Sequence, residues 1–192
     1  MDELEAIVAQ EVGSNPGIPS LQAALAVLYC ELGDFDKART PFVELTDRFD
    51  ALHHDLSWLV MTVLLADACF QLDDADRAAV LHAALTPFRG QCADNATNWF
   101  GSVGHHLALL EHTLGRYADA DASFEAAVAW HEQMPAPAML ARTQLDWATS
   151  LLRRPTPDRL RADALLTSLL PEAQRMGLGN ITRRAVELGA LP

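Results

Sequence analysis

Leu32-Gly33-Asp34-Phe35, followed by Ala38 and Phe42, returns further along the chain as Leu114-Gly115-Arg116-Tyr117, followed by Ala120 and Phe124. An eroded copy, Leu72-Asp73-Asp74-Ala75 with Ala78 and His82, lies between them. The alanines at 38, 78, 120 and 162 stand 40, 42 and 42 residues apart. A glycine or aspartate after a leucine-rich run ends one helix, and the aromatic and alanine that follow open a second. Self-similarity at a fixed period marks a repeat architecture in which each unit must stack on its neighbour to bury its apolar face. The expectation is an all-α chain: a right-handed superhelical array of antiparallel helix pairs with about four repeats and about nine helices. It would form a single domain over 1–192, with repeat turns near 33–35, 73–75, 115–117 and 154–158.

Composition agrees. Half of the 192 residues are hydrophobic and 21% are charged, which suits a chain with a buried core and argues against disorder. A net charge of -12 and a pI near 4.8 weigh against direct nucleic-acid binding and against an anionic membrane surface. Arg183-Arg184 is the nearest thing to a basic cluster, and two arginines make no phosphate-binding footprint. The three cysteines, Cys30, Cys69 and Cys92, share no metal-ligand spacing and form no complete set of disulfides. Reduced thiols inside apolar helices and an acidic N-terminus predict a cytoplasmic protein without a signal peptide.

Along the chain the spacing predicts a short first helix over 2–12, stopped by Gly13-Ser14-Asn15-Pro16-Gly17. Pro19 opens the next helix, and Phe35 begins its antiparallel mate. Asp55 is read as the cap of a long apolar helix reaching Leu72. The segment 87–97 has no helical period and reads as an irregular loop, with helix resuming at Trp99 and no sheet anywhere. Asn95 and Asn180, each in an Asn-X-Thr triplet, read as helix caps. Pro135-Ala136-Pro137 and Arg154-Pro155-Thr156-Pro157 mark later joints.

These repeats resemble the tetratricopeptide family. Its turn glycine corresponds to Gly33 and Gly115, its following aromatic to Phe35 and Tyr117, and its packed alanine to Ala38, Ala78, Ala120 and Ala162. Its second-helix aromatic corresponds to Phe42 and Phe124. A period near 41, against the family's usual 34, makes this a long-repeat variant. That variant is similar to the C-terminal repeat region of bacterial LuxR-type and AAA-ATPase or cyclase-linked signal-transduction regulators. Three stretches carry this likeness: Trp99 to Leu107, Leu114 to Ala120 and Leu140 to Ala148.

The resemblance implies a protein-protein interaction and regulatory module, the sensor or assembly segment of a multidomain transcriptional or signal-transduction regulator. Its concave groove would bind a protein, a peptide or an effector, with ATPase or cyclase modules of the same polypeptide among its partners. Carried over by position, the groove comprises Glu31 with Val27, Asp67, Phe70, His105, Leu109, His112, Arg142, Asp146 and Arg153 with Thr149. Trp99 joins them as an aromatic beside the irregular loop. The alternative is a stand-alone adaptor or chaperone-like peptide binder, and exposed terminal helices leave homo-oligomers open.

Chemistry has few footholds. No Gly-X-X-X-X-Gly-Lys-[Ser/Thr] loop and no Gly-X-Ser-X-Gly elbow occurs, and Gly101-Ser102-Val103-Gly104 lies where helix is expected. Glycines 101 and 104 are read as points of close helix contact, and Asp119 and Asp121 as surface groups. His53-His54 diverge on any helix, whereas His105 and His112 share a face two turns apart. That strip is either a metal-sensing feature or an ordinary polar face, and no neighbouring carboxylate or thiol has ligand spacing. The expectation is no catalytic residue, no metal and no cofactor, with a metal- or small-molecule-binding enzyme as the least favoured class.

Overall fold

A computed structural model of the chain describes residues 10, 14, 15, 17–95, 98–134 and 136–189. The helix expected over 2–12 falls outside the described residues but for position 10. Nine α-helices and one two-stranded antiparallel sheet are described, so among the described residues the fold is all-helical but for a short hairpin. It divides into two compact units between Gly115 and Arg116, inside the third repeat's turn.

The first unit holds α1 (Pro19–Leu32), α2 (Phe35–Asp47), α3 (Trp58–Leu72), α4 (Ala75–Leu85), the strands β1 (Cys92–Asp94) and β2 (Trp99–Ser102), and α5 (Val103–Thr113). Helix α3 is its centre: α1, α2, α4, α5 and β1 all pack on it. Thirteen of its 15 residues are buried, which is why its sequence is apolar nearly all round rather than on one stripe. The second unit holds α6 (Tyr117–Gln133), α7 (Pro137–Arg153), α8 (Arg159–Arg175) and α9 (Gly179–Leu188), with α7 packed against the other three.

Equivalent turns are built by the same local chemistry. Gly33, Asp73 and Gly115 occupy the left-handed region at φ 77°, 54° and 72° and end the preceding helices. Asp73 thus fills a slot in which glycine is unstrained and aspartate is the tolerated substitute. Asp34, Asp74 and Asp158 then cap the following helices, their carboxylates accepting from the amides of Lys37, Arg77 and Arg161 at 3.1–3.2 Å. Arg116 takes that place in the third repeat and offers no side-chain cap. In all four copies the alanine amide donates to the carbonyl four residues back, at 3.0 or 3.1 Å, and the alanine is fully buried. Asp34 N–H reaches back to Tyr29 O and Asp74 N–H to Cys69 O, five residues each, whereas Asp158 N–H reaches seven, to Leu151 O. That difference is the two-residue expansion of the fourth turn.

Four expectations are corrected. Segment 87–102 is no featureless loop running into helix: Cys92 pairs with Ser102 and Ala93 with Gly101, and α5 starts only at Val103. Gly101 lies in β2 at φ 88°, a backbone that only glycine adopts without strain, so it serves a bent strand rather than a helix contact. Asn95 closes the hairpin by accepting from Asn98 N–H at 2.8 Å, and Asn180 lies within α9 and bonds Arg183, so neither caps a helix. Asp55 accepts from both the amide and the hydroxyl of Ser57 at 2.8 Å, forming a turn two residues before the cap position, which Ser57 occupies.

Candidate functional site

The densest buried polar chemistry lies where α3, the hairpin and α5 meet. Ser102 caps α5, its hydroxyl accepting from Gly104 N–H at 3.1 Å, while Val103 N–H donates to Gln91 O. A Cβ at Gly104 would sit 3.2 Å from that hydroxyl, so the residue's smallness serves the cap. This start sets His105 and His106 on the first turn of α5, both buried, with their rings edge to face at 4.8 Å. Asp67, buried in the middle of α3, meets His106: Nδ1 lies 3.0 Å from Asp67 Oδ1. The other ring nitrogen, Nε2, lies 3.3 Å from the Phe100 carbonyl oxygen on β2. One donor atom each from Asp67, His105 and His106 converges within 4.8 Å.

Two turns along α5, His112 is buried and meets Phe70 of α3 edge to face at 5.2 Å. Glu111, 1% exposed, takes Arg89 at 2.8 Å and His82 at 3.3 Å on one oxygen. His82, which replaces the repeat aromatic in the eroded copy, is therefore a polar tie between α4 and α5.

Of the groove residues expected from the sequence, Asp67, Phe70, His105, Leu109, His112 and Asp146 are buried. Glu31, Trp99 and Arg142 are half-buried, and Arg153 is exposed. The structure brings Asp67 to His105 and Phe70 to His112, and pairs Asp146 with Arg142 at 3.7 Å and with Arg184 at 3.6 Å. Trp99 donates its indole N–H to Cys92 Sγ, so it braces the hairpin. The residue that spacing missed is His106. It neighbours His105 in the chain, and the first turn of α5 together with Asp67 brings the two rings to one place.

The second unit has its own polar centre, Asp121, read from sequence as a surface group and found partly buried. Trp147 Nε1–H donates to it at 2.7 Å, Arg154 grips both oxygens at 2.6 and 3.0 Å, and Arg161 lies 3.3 Å away. Arg161 also stacks 4.4 Å over the Trp147 ring, whose other neighbour is Phe124. Burial by itself pushes the Asp121 carboxyl up, but the bonds from Arg154 and Trp147 and the charges of Arg154 and Arg161 outweigh it and hold the group below the usual carboxylate range.

The cysteines are poor nucleophiles. Burial, assisted by Glu31 and Asp67, pushes the Cys30 thiol up to about 12, and burial raises half-buried Cys92 to about 11. No helix among the described residues is long and apolar enough to cross a membrane. In comparison with known proteins, no family model matches the chain, and neither a curated protein nor a solved structure matches it significantly.

Proposed function

We propose that this chain is a non-enzymatic, long-repeat tetratricopeptide-like module whose helix pairs array as a right-handed superhelix and bind a protein or peptide segment. The observation that carries the reading is a turn device that recurs at the same place in successive pairs: a left-handed residue in the first three copies, an aspartate cap in the first, second and fourth, and a fully buried alanine in all four. Similar local geometry at a nearly regular interval is what lets each pair stack on the next, and stacked pairs act by presenting a surface. A net charge of -12 favours a basic or neutral protein segment as partner over nucleic acid. The reading extends to a sensor or assembly segment of a larger cytoplasmic regulator, where such a surface would receive another module of the same polypeptide.

Accessibility selects the residues to probe. Arg153 is exposed and Glu31 is half-buried, whereas substituting Asp146 would strand Arg142 and Arg184. Affinity capture with the intact chain is compared with Arg153→Glu and Glu31→Lys variants that melt at the wild-type temperature. Loss of a specific captured protein in either variant supports the reading. An identical set of captured proteins in both overturns the groove assignment.

A further inference from the structure

We propose that Asp67, His105 and His106 form a binding site for a divalent first-row transition metal inside the first unit. The proposal is independent of the partner-binding reading and rests on the convergence of three buried side chains, one donor atom each within 4.8 Å, with the surroundings of the His106 ring beside it. Its Nε2 faces a backbone carbonyl oxygen at 3.3 Å and its Nδ1 faces a carboxylate oxygen at 3.0 Å. The carbonyl oxygen has no proton to give, and an ionised carboxylate has none either. A neutral imidazole has one N–H, so it would satisfy one of these atoms and press a lone pair against the other. Two arrangements remove the conflict, each with a proton on Nε2: a second proton held between Nδ1 and the Asp67 carboxyl, or a cation at Nδ1.

The second arrangement is the one the surroundings complete. A histidine that ligates a metal through one nitrogen characteristically donates its other N–H to a backbone carbonyl or carboxylate, which fixes tautomer and ring plane. The Phe100 carbonyl stands in that position. A proton shared between His106 and Asp67 would need no third group, yet His105 brings another nitrogen into the same 4.8 Å cluster, from a side chain only 3% exposed. Two imidazoles and one carboxylate suit borderline cations such as Zn2+, Fe2+ or Co2+, and do not suit Mg2+ or Ca2+, which prefer all-oxygen shells. Bonds of about 2.0–2.2 Å in a tetrahedral shell require ligand atoms roughly 3.3–3.5 Å apart. The His106–Asp67 pair is already that close, and metal binding would draw the His105 nitrogen in from its place within 4.8 Å. The fourth position falls to water. Bound metal would fasten α3, α5 and β2 together at one point.

The test uses the full chain, stripped with chelator and titrated with Zn2+ and, separately, Co2+. Expected are one equivalent of metal per chain, visible d–d absorption from Co2+ in a nitrogen and oxygen shell, and a Tm raised by about 5–10 °C at saturating Zn2+. Asp67→Asn and His106→Gln should each weaken Zn2+ binding by more than about 100-fold. His53→Ala, which alters an exposed histidine, should leave binding unchanged. Should the site variants fail to fold, wild-type stoichiometry and the Co2+ spectrum decide the matter alone. A wild-type protein that takes up no equivalent of metal, or Zn2+ binding that survives in folded Asp67→Asn and His106→Gln variants, overturns the proposal, and in the first case Asp67 and His106 share a proton instead.

Discussion

At the scale of single residues, the turns supply direct tests because their chemistry recurs with different side chains. Asp73 holds φ 54° where the first and third copies use glycine. Replacing it with glycine removes a left-handed cost of about 1 kcal/mol and should raise Tm by roughly 2–4 °C in thermal melts. Arg116 stands where three other copies have a capping aspartate. Arg116→Asp should add about 0.5–1 kcal/mol to unfolding free energy in urea titrations, whereas Asp158→Ala should remove about 1 kcal/mol. With the Cys92 thiol at about 11, roughly a thousandth of it is thiolate at pH 8, so alkylation by iodoacetamide should be slow in the folded chain and speed up in denaturant.

At the scale of elements, Asp121 ties α6 to α7 and α8, and its Coulombic support has a definite pH signature. Its carboxyl is held below the ordinary range, so the stabilisation is full above the unfolded value near 4 and is lost as pH falls through the lower folded value. Asp121→Asn should cost about 2 kcal/mol at pH 7 and much less at pH 3, as read from paired urea titrations. The helices themselves were legible in the sequence, since alanine, leucine and turn residues recur at helical spacing and local propensity agrees with packing. The hairpin was not: Cys92–Asp94 and Trp99–Ser102 are too short to show alternation, and their pairing depends on Asn95 and Gly101 taking conformations that spacing does not reveal. The buried cluster was half legible. Asp67 and His105 stood out by position, but the ligand that joins them, His106, meets a carboxylate 39 residues earlier in the chain, a distance no motif spans.

At the scale of the whole molecule, the excess of acid is the dominant property. A net charge of -12 repels itself, and raising salt from about 10 mM to about 150 mM shortens the screening length from roughly 30 to 8 Å. Tm should therefore rise over that range in a salt series, and the chain should fail to retard duplex DNA in a gel shift at the upper end. The repeated turns also bear on how the chain reaches its structure. Bonds such as Asp34 N–H to Tyr29 O and Asp74 N–H to Cys69 O close over five residues, so the entropy of bringing those helix ends together is small. Low contact order of this kind places helical pairs among fast-folding structures, in microseconds to milliseconds. The meeting of Asp67 with His106 belongs to another class of event, because a strand hairpin and two helices must be in place before the ring enters. A contact that needs assembled elements is expected to form late, so a mutation there should accelerate unfolding while leaving the rate at which helical pairs close nearly untouched.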